Sequence, residues 1–162
     1  MNTPWKPSRG ADALRDQMAS YPGWLGCQSQ FLDSLFPCGT NGSAGRFCTD
    51  ATRQQCDRWL GTLCASLLVD FTERFMMEDR VMMEADCSPQ GKENFDLHVE
   101  AHGDLMEYMV GIIRSESPCT LRSGLHEMLH HRFPQHLLTY DANLLAYLGD
   151  GGDPMWAGAG EK

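Results

Sequence analysis

All six histidines of this chain lie beyond residue 97, and two of them form a pair with helical spacing. His98 and His102 are four residues apart, so on an α-helix they share a face and both imidazoles reach one point. His136 and Asp141 follow, and Glu78 supplies a carboxylate upstream. Imidazole and carboxylate are ligands that iron, zinc and manganese accept from proteins. The five residues therefore predict a metal site.

The spacing of apolar residues predicts the four helices that would position these donors. They run from Trp24 to Phe36, from about Thr49-Asp50 to Ala85, from about Asn94 to Arg114 and from about Thr120 to Leu148. Clusters of glycine, proline and small polar residues separate them, and no convincing strand pattern occurs. We predict an all-α fold, an up-down-up-down four-helix bundle over residues 21–148. Residues 1–20 are predicted to be an irregular arm and residues 149–162 a flexible tail.

Two apolar seams contain the candidate ligands. In the second helix the seam is Leu60, Leu63, Leu67 and Phe71, and the same spacing continues to Arg74 and Glu78. In the third helix it is Phe95, His98, His102, Leu105, Met109 and Ile112. A charge on a core face is costly unless it is paired or bound to a metal. We therefore predict that Glu78 faces His98 and His102 inside the bundle.

The spacing of His136 and Asp141 does not suit a regular helix. Residues five apart are separated by roughly 140° around an ideal α-helix, so their side chains diverge. Either the two residues flank the seam, or Pro134 bends the helix locally, because proline removes an amide donor.

Composition excludes several classes of function. The chain has 162 residues, enough for one domain with a core, and a formal net charge of -9 without a basic stripe, which argues against nucleic-acid binding. No apolar run is long enough for a membrane span, and the first residues do not form a secretory signal. Seven cysteines without a C-x-x-C motif predict free thiols in a reducing compartment, so we expect a cytoplasmic protein.

Three motifs of the sequence resemble those of the hemerythrin-like proteins, which are four-helix bundles with a non-heme di-iron site. The motifs are His98-x-x-x-His102, His136-x-x-x-x-Asp141 and Phe75-x-x-Glu78-Asp79-x-x-Met82. The resemblance implies that His98, His102 and His136 bind one iron, and that Glu78 and Asp141 bridge it to a second iron. It also implies a diatomic ligand, O2 or NO, and a protein partner if the domain signals.

The chain departs from this family at the second iron, whose two histidines are absent. Arg74 holds the second-helix position, one turn before Glu78, and Gln28, Ser29 or Gln30 lies in the matching region of the first helix. A guanidinium takes a carboxylate in two parallel hydrogen bonds, so we predict that Arg74 pairs with Glu78 in place of a second metal. One non-heme iron is thus expected, with zinc or manganese as alternatives. Because O2 carriage in this family uses two irons, the expected function is O2, NO or redox sensing or binding.

Two other functions stay open at this stage. The segment His126-Glu127-Met128-Leu129-His130 matches the zinc-peptidase motif H-E-x-x-H, with His136 at the third ligand of its longer form and Glu127 as general base. Against it, Phe133 replaces the glycine of that form, and no sheet is available to bind a substrate strand. The other alternative is a metal-free module of the same fold, used in signalling or protein interaction. No residue pattern indicates a substrate, so a binding protein is expected more than an enzyme.

Overall fold

The computed structural model describes residues 9–34, 50–85, 89–115 and 118–150. These residues are almost entirely helical and include no strand, which confirms the all-α class. The helices are α1 (Arg9–Ser34), α2 (Asp50–Glu84), α3 (Pro89–Ile113), α4 (Pro118–Glu127), α5 (Phe133–His136) and α6 (Ala142–Asp150), with π-helical segments at Met128–Arg132 and Leu137–Asp141. We call the continuous stretch 118–150 the C-terminal run. None of the described helices is both long and apolar enough to cross a membrane.

Helix α1 begins at Arg9, so the prediction of an irregular arm over residues 1–20 is wrong from that residue onward. Leu14, Met18 and Tyr21 follow one another at steps of four and three, and all three are buried. This short apolar stripe holds the helix on the core, although Pro22 lies within it. Residues 1–8 and 35–49 lie outside the described part of the chain.

The boundaries of α3 and α6 also differ from the prediction. Helix α3 begins at Pro89, about one turn earlier than expected, because proline is well suited to the first turn of a helix, where its missing amide hydrogen has no partner to lose. Helix α6 extends to Asp150, two residues into the predicted tail, and residues 151–162 lie outside the described part.

The core lies where the helical seams meet. Every predicted seam residue from Leu60 to Phe71 is buried, and so is every seam residue of α3. Helix α2 packs against α3, α1 packs against α2 and α6, and the C-terminal run contacts the first three helices. An aromatic cluster fills the space between α1, α2 and α5, with ring centroids of Phe71 and Phe133 4.8 Å apart.

Two contacts fix the C-terminal run against the other helices. Gly124 lies so close to α3 that an added Cβ would be 2.4 Å from Cγ2 of Ile112, so only glycine allows this approach. At the other end, the Arg15 guanidinium of α1 donates to the carbonyl oxygen of Leu148. The run is thereby held in the position from which His136 and Asp141 point inward.

Candidate metal centre

Five donor side chains from four elements meet at one buried point. Glu78 comes from α2, His98 and His102 from α3, His136 from α5, and Asp141 from the second π-helical segment. All five are buried, and one ligand atom from each lies within 4.8 Å of the others. The structure therefore brings together all five residues that the sequence indicated. A buried cluster of this composition is a candidate metal site.

The π-helical segment Leu137–Asp141 aligns the two donors whose spacing seemed unsuitable. The Ala142 amide donates to the Leu137 carbonyl, five residues earlier. Because a π-helical turn takes more residues than an α-helical turn, residues five apart come closer to one side, and Asp141 lies on the side of His136. His136 Nε2 is 3.0 Å from Asp141 Oδ1. Widening of the helix thus accounts for the convergence of two side chains that would diverge on a regular α-helix.

His98, His136 and Asp141 form a close triangle of polar atoms. His98 Nε2 is 3.1 Å from His136 Nε2 and 3.1 Å from Asp141 Oδ1. Each ring nitrogen carries at most one hydrogen, so at most two of the three atom pairs can be joined by a hydrogen bond. A cation bound by all three atoms would accept a lone pair from each of them.

His102 is held in place from both ring nitrogens. Its Nε2 lies 3.1 Å from Glu78 Oε2, and its Nδ1 lies 2.7 Å from Asp79 Oδ1. A histidine ligand commonly donates its other ring nitrogen to a carboxylate, which fixes the tautomer and directs the free nitrogen at the metal. Phe75 also stacks on the ring, with centroids 4.0 Å apart. Asp79 stands in the motif around Glu78, but the sequence did not indicate its contact with His102.

The donor side chains differ in the direction in which the site shifts their pKa values. Burial, together with the neighbouring histidines, lowers the pKa of His98 to about 4, although Asp141 acts in the opposite direction. For His102, burial is outweighed by the two carboxylates in contact with it, and its pKa rises to about 9. Hydrogen bonds with the histidines likewise outweigh burial and lower the pKa of Asp141. A neutral His98 beside an ionised Asp141 is the protonation state in which both can bind a cation.

Tyr21, and not Arg74, forms a hydrogen bond with Glu78. The Tyr21 hydroxyl donates to Glu78 Oε1 at 2.5 Å. Burial and the Glu78 carboxylate raise the pKa of Tyr21, so its hydroxyl keeps the proton that it donates. Arg74 instead lies against two rings, 4.4 Å from the centroids of Tyr21 and Trp24, and its Nη1 has no hydrogen-bond partner. The predicted pairing of Arg74 with Glu78 is therefore wrong.

The distances in the cluster suit a cation bound by nitrogen and oxygen. Two donors about 2.0–2.1 Å from one ion, at angles between a right angle and the tetrahedral value, are about 2.9–3.4 Å apart. Among the five cluster residues, the closest contacts of the His98, His102 and His136 ring nitrogens fall between 3.0 and 3.1 Å. Asp141 Oδ2 is buried without a hydrogen-bond partner, so a further acceptor faces the interior. The donor set therefore fits iron, zinc or manganese.

The zinc-peptidase motif does not share this centre. His126 and His130 lie on the outer part of the C-terminal run, and their ligand atoms group with Asp33 of α1. His136, the third ligand in the longer form of the motif, belongs to the buried cluster instead.

Replacing Asp79 with asparagine is expected to weaken metal binding by about 10–100-fold, because His102 then loses the carboxylate that sets its tautomer. The measurement is competition for metal against a chelator of known affinity. Glu73→Gln makes the same chemical change at an exposed position of α2 and should leave the affinity unchanged. Equal affinity in Asp79→Asn and Glu73→Gln would mean that Asp79 does not support the site.

No family model, curated protein or solved structure matches this chain.

Proposed function

We propose that this chain is a hemerythrin-like four-helix bundle that holds one non-heme iron and binds or senses O2, NO or the redox state of its surroundings. The observation that carries this proposal is the convergence of three imidazole nitrogens and two carboxylates on one buried point. Bundle cores build metal sites in this way, from side chains on facing helices. The order of the motifs along the chain supports the resemblance to that family.

The surroundings of Glu78 favour one ion over two. Its Oε2 faces the histidines, at 3.1 Å from His102 and 3.6 Å from His98. Its Oε1, the oxygen that a bridging carboxylate would offer to a second metal, accepts the hydrogen bond from Tyr21. Arg74 adds a permanent positive charge over the Tyr21 ring. A second cation on this side would meet both a donor hydrogen and a like charge.

A bound iron would supply redox activity and an open coordination position. The side chains around it would determine which small molecules reach that position. Phe75 stacks on His102, and Tyr140 stacks on His98 and His136 with centroids 5.3 and 5.1 Å away. The five donors are almost fully shielded from water. Burial and the aromatic side chains around the donors favour a small neutral ligand such as O2 or NO over a charged substrate.

A metal-free interaction module is the second candidate, and one observation favours it. His102 is already engaged by Glu78 and Asp79, so part of the cluster is satisfied by hydrogen bonds alone. In the triangle around His136, both His98 and His136 can donate to Asp141 Oδ1, but Asp141 Oδ2 is buried without a hydrogen-bond partner. For that reason we favour the metal-binding function.

The functional proposal can be tested with NO. The chain is loaded with Fe²⁺ without oxygen, excess metal is removed, and NO is added while the visible absorption spectrum is recorded. We expect a change in the wild type and no change in a His136→Gln variant loaded in the same way. A bound iron whose spectrum does not respond to NO or to O2 would contradict the sensing function while leaving metal binding intact.

A further inference from the structure

Outside the central cluster, three donor side chains from two separate parts of the chain also meet. Asp33 lies near the C-terminal end of α1, His126 lies in α4, and His130 lies in the π-helical segment Met128–Arg132. One ligand atom from each is within 4.8 Å of the other two. Asp33 and His126 are exposed and His130 is half-buried, so the group is open to solvent.

The two histidines present a ready pair of nitrogen donors. They are four residues apart and their rings stack, with centroids 4.2 Å apart and planes inclined by 27°. Nε2 of His130 is buried and has no hydrogen-bond partner. A buried ring nitrogen without a partner is unfavourable, and direct binding of that nitrogen to a cation would remove the penalty. Asp33, from a different helix, adds a carboxylate to the two imidazoles.

We propose that Asp33, His126 and His130 form a second, surface site for a divalent transition metal of the zinc type, which links the C-terminal end of α1 to α4. Two imidazoles and one carboxylate suit Zn²⁺, whereas Ca²⁺ and Mg²⁺ prefer oxygen ligands throughout. Because three protein ligands leave a position for water and the site faces solvent, the ion exchanges with the surrounding solution. The site is distinct from the central cluster, with which it shares no residue.

The inference concerns binding and not peptide hydrolysis. Glu127, which would be the general base of an H-E-x-x-H peptidase, has Oε1 3.9 Å from Nε of Arg132. Arg132 in turn lies over the Tyr108 ring, 3.9 Å from its centroid. These contacts direct the Glu127 carboxylate toward Arg132. The geometry therefore supports a structural or regulatory zinc site more directly than a hydrolytic one.

Zinc binding by the 162-residue chain, with its central residues intact, tests this site. Equilibrium dialysis against Zn²⁺ is compared for the wild type, His126→Gln/His130→Gln and Asp33→Asn. The double variant should bind one zinc ion fewer per chain than the wild type. Asp33→Asn should bind the same ion about tenfold or more weakly, since it loses a direct ligand. His131→Gln, a neighbour outside the group, is the matched control and should behave like the wild type.

Thermal unfolding gives an independent readout of the link between helices. Zinc should raise the Tm of the wild type and of His131→Gln by more than that of Asp33→Asn, because a ligand that binds only the folded state stabilises it. The same zinc content in the wild type and in the double variant would overturn the proposal. Unchanged affinity in Asp33→Asn would also overturn it, because the ion would then be held by the histidine pair alone. All of these substitutions lie at exposed or half-buried positions, and circular dichroism verifies that each variant is folded.

Discussion

Replacing both His98 and His102 with alanine is expected to abolish iron retention by the folded chain. The change removes two of the three imidazole donors and leaves only His136, Glu78 and Asp141. We expect these three ligands to bind iron too weakly for it to remain on the protein during gel filtration. Iron per chain is measured by mass spectrometry after that step, and circular dichroism shows whether the helices are retained.

The control is His131→Ala. It removes an imidazole from the C-terminal run that belongs to neither group of candidate ligands. Its iron content should equal that of the wild type. His136→Gln, a smaller change in volume, is included in case the double alanine variant does not fold. If both buried-site variants retained as much iron as the wild type, the proposed ligands would be wrong.

Replacing Phe133 with alanine is expected to lower the free energy of unfolding by about 3–5 kcal/mol, the usual range for a buried phenylalanine. Its side chain is completely buried, with ring centroids 4.8 Å from Phe71 and 5.8 Å from Trp24. The substitution leaves a cavity between α1, α2 and α5, next to the ring of His136. The measurement is urea unfolding followed by circular dichroism.

Leu138→Ala provides the comparison for Phe133→Ala. Leu138 is in the same C-terminal run but is 78% exposed, so its loss should change the free energy of unfolding by no more than about 0.5 kcal/mol. Similar effects of the two substitutions would mean that Phe133 is not packed as the structure shows.

The sequence was sufficient to predict the parts of the site that depend on regular helices. Glu78, His98 and His102 continue apolar seams, and a seam with a period near 3.6 places its members on one face. Such local periodicity predicts the direction of a side chain without knowledge of the partner helix. For the same reason, the all-α class and the buried seam residues of α2 and α3 were predicted correctly.

The interactions that were missed depend on contacts between distant residues or on irregular backbone. The Tyr21 hydroxyl donates a hydrogen bond to Glu78, which is 57 residues away in the sequence. Tyr21 also follows a segment whose prolines and glycines led to the prediction of an irregular arm instead of helix α1. Asp79 reaches His102 across the interface between α2 and α3. The π-helical turn before Asp141 leaves no periodic pattern, because a single extra residue in a helix changes only the phase of the residues after it.

The correction at Arg74 changes the physical explanation for one metal. A direct ion pair with Glu78 was expected from spacing alone, since the two residues are one turn apart on α2. The Arg74 guanidinium instead lies over the rings of Tyr21 and Trp24, and the Tyr21 hydroxyl donates the hydrogen bond to the Glu78 carboxylate. In the proposed one-metal site, Tyr21 therefore engages the Glu78 oxygen that would face a second metal, and the positive charge of Arg74 lies against the Tyr21 ring.

The most direct test of a one-metal buried centre is the number of iron ions per chain in the wild type. The protein is reconstituted anaerobically with excess Fe²⁺, passed through a desalting column with a weak chelator to remove surface-bound ions, and analysed for iron and protein. We predict one iron ion per chain. Two ions per chain would contradict the closure of Glu78 by Tyr21, and none would contradict the metal centre itself.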